Sequence, residues 1–202
     1  MPRILFMSAA SLAALSLAAC GDNMSGDSAL MTQPTVETAS ADPAASENAA
    51  REAQDFVNAA GQASLVEIRT SEMALEKSSS ADVKAFAQMM IDNHKAATDK
   101  LKAAASAAAL APPVEALDDF HMRRINDLVE TDGDADFDAD YAALQIDAHN
   151  DAIKLFENYS RDPDATAQLK AFADETLPTL QTHKAEAEKI RDVATKSDKS
   201  AT

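Results

Sequence analysis

From Ala50 onward, apolar residues return every three or four positions, the spacing that holds them on one face of an α-helix. Phe56, Ala60, Ala63, Glu67, Ala74 and Leu75 trace such a stripe until Ser78 to Ser80 breaks it, which predicts a first helix. Asp82 is placed to cap a second helix, where Val83, Phe86, Met90, His94, Ala97, Leu101 and Ala104 repeat the spacing until Pro112 and Pro113. A shorter amphipathic stretch from about Asp118 to Thr131 stops at Gly133, a residue suited to closing a helix. The third long helix runs from Phe137 to Ser160, with Tyr141, Leu144, Ala148, Ala152, Leu155, Phe156 and Tyr159 inward. A fourth, from about Asp164 to Val193, carries Leu169, Phe172, Thr176, Leu180, His183, Ala187 and Ile190. Four long helices without a strand pattern predict an all-α four-helix bundle over 51–193, followed by a disordered tail at 194–202.

The connections set the pairing. Short joints at Ser78 to Ser80 and around Pro163 make helices one and two, and three and four, antiparallel hairpins. The long, partly helical connection from Leu110 to Asp136 either crosses along the bundle or folds back at one end, and the sequence leaves both open.

Upstream of the bundle the pattern changes twice. Arg3 followed by the apolar run Ile4 to Ala18 reads as a signal peptide over 1–19, too short for the roughly 20 residues of a lasting membrane span. It ends in Leu17-Ala18-Ala19-Cys20, which resembles the lipobox of bacterial lipoproteins, and that resemblance implies lipidation of Cys20 and a membrane anchor. Gly21 after the cysteine implies, on the same resemblance, the periplasmic side of the outer membrane rather than the inner one. Residues 20–50 are rich in Ser, Thr, Ala and acids, with isolated apolar positions and Pro34 and Pro43. They read as a disordered tether with a reach of about 30 Å.

Composition narrows the partners. Cys20 is the one cysteine, so no disulfide staples the fold and burial must hold it. The formal charge of −16 and the absence of Trp argue against nucleic acid as a partner.

The segments Phe86-Ala87, Met90, Asp92-Asn93-His94 and Leu101 resemble the second-helix signature of a bacterial envelope family known as domain of unknown function 4142. Gly133, Phe137-Asp138, Tyr141, His149, Leu155-Phe156, Leu169-Lys170, Phe172-Ala173, Leu177-Pro178, His183 and Ala187 extend the match over roughly Ala50 to Val193. The resemblance implies a ferritin-like bundle in the cell envelope and lends no reaction. Asn93 departs from the acid usual in the family.

Candidate chemistry lies with Glu67, His94, His149 and His183, each on or beside the apolar stripe of a different long helix. Counted from the hairpin turns at about 1.5 Å per residue, Glu67 and His94 lie roughly 4 to 5 Å apart along the axis, while His183 stands about 9 Å out of register with His149. A carboxylate and imidazoles meeting in a bundle core suit Zn, Fe or Cu; equally, they can satisfy one another as polar core residues. His121, on the short connector, is expected to be exposed and carries no assigned role.

A di-iron centre is not expected. Its Glu-x-x-His pairs would need acids where Ile91, Ile146 and Leu180 stand. Glu186, three residues after His183, is a candidate support for it. The acidic run Asp132, Asp134, Asp136, Asp138 and Asp140 is not an EF-hand, since Phe137 and Ala143 occupy the glycine and glutamate positions. No activated nucleophile or phosphate loop is present. The first functional expectation is therefore a non-enzymatic envelope lipoprotein acting in envelope maintenance or stress tolerance. The alternative is a metal-binding or redox protein with a mononuclear Glu/His site.

Overall fold

The computed structural model describes residues 43–131 and 134–200. The expected signal at 1–19, Cys20, the first part of the expected tether and Gly133 lie outside the described residues. Five helices follow in order: α1 (Pro43–Lys77), α2 (Ala81–Ala107), α3 (Asp119–Val129), α4 (Asp134–Arg161) and α5 (Ala167–Ser200). Among the described residues there is no strand, and no helix is long and apolar enough to cross a membrane.

Several helix ends differ from expectation for local reasons. α1 starts at Pro43 rather than near Ala50, within the stretch expected to be a tether: proline suits a first helical position, and the Ala-rich stretch after it has high helix propensity. Nearly all of residues 44–50 are exposed, which is why an apolar stripe does not announce them. α5 runs through Val193 to Ser200, so most of the expected tail is helical, and Ala194 is still buried. Ser80, not Asp82, caps α2, its side chain accepting from the Val83 N–H at 3.4 Å; Asp82 lies in the first turn, where its charge meets the helix dipole. α2 stops at Ala107, ahead of the two prolines. There Ala109 takes a left-handed φ of 57°, and the Ala109 and Leu110 N–H groups bond back to Ser106 and Ala105.

Along α1 the buried positions Ala53, Val57, Ala60, Ser64, Glu67, Ser71 and Ala74 alternate steps of four and three, the spacing of a helix seated in a bundle seam. α1 packs on α2 and α4, α5 on α2 and α4, and α3 lies against α1 and α4. One apolar cluster gathers Phe56, Leu101, Phe156, Tyr159, Leu169 and Phe172, with the Phe56 and Tyr159 rings stacked at 4.0 Å. The other gathers Phe86, Met90, Leu128, Phe137, Tyr141 and Ala187. Each cluster draws on one half of every long helix, so α1 and α5 run one way and α2 and α4 the other.

The connection between the hairpins is a crossover. Gln54 Nε2 donates to Ala111 O at 3.3 Å, Gln62 Nε2 to Ala116 O at 3.3 Å, and Lys77 Nζ to Val129 O at 2.8 Å. Residue numbers rise together on both sides, so the connection climbs beside α1 and delivers the chain to the far end, where α4 begins. Its closest approach is at Gly61, where an added Cβ would overlap the Cβ of Pro113. Gly61→Ala is therefore expected to lower stability by about 1 kcal/mol, the overlap outweighing the gain in helix propensity. Urea unfolding checks this, and an unchanged or higher midpoint would show that the crossover yields at no cost.

Candidate metal centre

Between the two apolar clusters lies one polar layer. Glu67 is 1% exposed, His94 4%, His149 0% and His183 2%, one from each long helix. The ring centroids of the histidines are 5.7 Å apart for His94 and His149, 5.3 Å for His94 and His183, and 5.5 Å for His149 and His183. The structure thus closes the register gap expected for His183. Side chains lean toward the N-terminus of their own helix, so His183 leans toward the α4–α5 turn and His149 away from it.

Each imidazole uses one nitrogen on a protein partner. His149 Nδ1 donates to the backbone carbonyl of Gln145 at 2.8 Å, which leaves the lone pair on Nε2. His94 Nδ1 lies 3.1 Å from Glu67 Oε2, and His149 Nδ1 3.2 Å from Glu67 Oε1. His183 Nε2 lies 2.9 Å from the Asn93 amide. Asn93 Nδ2–H donates to that nitrogen and the ring proton stands on Nδ1; turning the amide over, so that its oxygen accepts from Nε2–H, bares Nδ1 for a metal. Glu186, the candidate support for His183, instead pairs with Lys189 at 2.7 Å.

The remaining nitrogens, Nε2 of His94, Nε2 of His149 and Nδ1 of His183, are buried without a partner. Among the described residues these three histidines form the group that can hold a metal ion, with one ligand atom from each within 4.8 Å of the others. At that largest spacing the centre of the triangle is about 2.8 Å from each nitrogen, so a contraction of under about 1 Å per ring reaches the Zn–N distance of roughly 2.0–2.1 Å. Glu67 stands outside this group, behind His94 and His149. Its Oε2 faces His94 Nδ1, while its Oε1 has no hydrogen-bond partner.

Electrostatics keep the imidazoles ready. Burial holds His94 well below its ordinary range, with His149 and His183 as further positive neighbours disfavouring its charge. Burial lowers His149 to about 4, partly opposed by its bond to Gln145, and burial also lowers His183. Burial raises Glu67 to about 8, with the Arg124 charge pulling the other way. At pH 7 the metal-free contacts of Glu67 are therefore between neutral groups.

These shifts set a pH profile for the metal-free protein. Below about pH 6.5 the unfolded histidines take up protons that the folded core refuses, so stability falls as pH drops toward 4. Between 4.5 and 8 Glu67 is ionised when unfolded and protonated when folded, so its contribution falls as pH rises. Three histidines outweigh one carboxyl on the acid side, and stability peaks near pH 6.5 to 7. Urea midpoints of chelator-treated full-length protein across pH 4 to 9 check this, and a flat profile contradicts it.

Polar side chains beside the layer escaped the apolar pattern. Gln145 Nε2 donates to Thr70 Oγ1 at 2.9 Å, Ser71 and Tyr141 share a 2.8 Å hydroxyl bond, and Ser64 and Thr98 both donate to His94 O. His121 is half-buried, 2.7 Å from Asp118, and away from the site.

The family model described as "Domain of unknown function (DUF4142)" matches residues 38–190. No curated protein and no solved structure matches the chain.

Proposed function

The chain belongs to the DUF4142 family, whose description names no reaction, and we propose from the geometry that it is a metal-binding bundle whose ligands are His94, His149 and His183. One observation carries the proposal: three buried imidazoles from three helices bring one ring nitrogen each within 4.8 Å of the others, and each ring keeps a nitrogen without a partner. A buried unpaired polar atom costs about 1–3 kcal/mol, and a core kept only for packing would not gather three. Three neutral imidazoles suit Zn, Fe or Cu; the metal supplies Lewis-acid or redox chemistry when bound. Glu67 fixes the His94 ring, Gln145 O the His149 ring and Asn93 the His183 ring.

The place of action rests on the N-terminal sequence. The Leu17-Ala18-Ala19-Cys20 ending supports an envelope lipoprotein held by an acylated Cys20, facing the periplasm from the outer membrane. Mass spectrometry of the mature N-terminus tests this, and an unmodified Cys20 overturns the anchor.

For the metal, the full-length protein is purified from metal-replete cells and its content measured by plasma mass spectrometry. About one equivalent per chain is expected, falling sharply in His94→Ala. Less than about a tenth of an equivalent, unchanged in that variant, overturns the proposal.

A further inference from the structure

Three protein ligands fill three positions of a metal, and Glu67 is turned to the backs of His94 and His149 rather than to their free nitrogens. That leaves one coordination position for an outside ligand, as in metal sites built to react rather than to brace a fold. Next to the layer is a cavity of about 30 Å³, with Glu67 and His94 in its wall. Its other walls come from one turn along each helix: Ser64 before Glu67, Ala97 after His94, Ala152 after His149 and Leu180 before His183. It is the adjacent layer of the bundle, and of the three histidines His94 lines it.

Size and lining select the guest. A water needs about 10–15 Å³ by the same measure, so 30 Å³ admits a diatomic molecule and excludes an organic substrate. Leu101, Phe156, Phe172, Leu180 and four alanines make the lining largely apolar. The hydroxyls of Ser64, Thr98 and Thr176 already donate to backbone carbonyls, at 3.2, 2.8 and 2.7 Å. Beyond Glu67 and His94 themselves, a charged or strongly hydrogen-bonding guest finds little here to replace its water.

We propose, resting on the three-histidine reading above, that the cavity admits a small uncharged diatomic ligand to the open position of the metal. The probe is nitric oxide on the full-length protein loaded anaerobically with Fe(II), with bound iron measured first. An iron–nitrosyl EPR signal matching the bound iron is expected. Ala97→Leu and, separately, Ala63→Leu, both at half-buried wall positions, are expected to keep the iron while weakening nitric oxide binding at least tenfold. A circular dichroism melt verifies that each variant folds, so loss of signal in a folded, iron-loaded variant supports the inference. Bound iron that gives no nitrosyl signal, or a signal unchanged in both variants, overturns it. Failure to bind iron also overturns it, and failure to bind zinc and copper as well overturns the three-histidine reading beneath it.

Discussion

Replacing His149 by Ala is expected to abolish stable metal binding, by at least about 100-fold. This exceeds the 10–100-fold typical of losing an outer-shell partner, because a ligand itself goes. His149 is the ring whose protonation is fixed most firmly: a carbonyl can only accept, so the 2.8 Å contact with Gln145 O puts the proton on Nδ1 and frees Nε2. Metal that binds only the folded state stabilises it by about 2.7 kcal/mol at 100 times its dissociation constant. For a domain of this size that raises the melting midpoint by roughly 5–10 °C. Scanning calorimetry with and without metal should show this rise in the wild type and under about 1 °C in His149→Ala. Equal rises in both would mean that the metal sits elsewhere.

Glu67→Gln is expected to separate metal affinity from stability. Glu67 Oε2 lies 3.1 Å from His94 Nδ1 and, once ionised, can only accept there, holding the His94 proton on Nδ1; an amide can instead donate to Nδ1 and place that proton on the nitrogen the metal needs. Metal affinity should fall about 10–100-fold. The metal-free variant, however, has no carboxyl to ionise in the core, so the alkaline loss of stability that accompanies a group raised to about 8 should disappear. Competition with a chelator and urea midpoints at pH 7 and 9 measure the two effects. A variant that keeps the wild-type metal affinity and also keeps the alkaline decline would remove Glu67 from both roles.

The sequence carried the bundle because its long helices bury apolar residues at regular steps, and Phe56, Met90, Tyr141 and Phe172 mark all four. It did not show all the buried positions of α1, since Ser64, Thr70 and Ser71 are polar yet buried, Thr70 bonded within α1, Ser64 to His94 O on α2 and Ser71 to Tyr141 on α4. The crossover was not legible either: its evidence is a set of side-chain bonds from Gln54, Gln62 and Lys77 to carbonyls far along the chain. Histidine positions pointed to the right layer. Counting rise per residue placed Glu67 beside His94, but it put His183 out of reach because the lean of side chains toward the helix N-terminus was left out. The orienting roles of Asn93 and the Gln145 carbonyl lie in which nitrogen each ring commits, and residue types alone do not specify that. Asn93 did carry one signal, its place beside His94 within the matched segment.

The most direct test of a three-histidine centre is X-ray absorption at the zinc edge on the full-length protein loaded with one equivalent of zinc. Three imidazole nitrogens at about 2.0–2.1 Å and one further light ligand are expected. A shell of oxygen ligands alone, or a spectrum unchanged by His149→Ala, would contradict it.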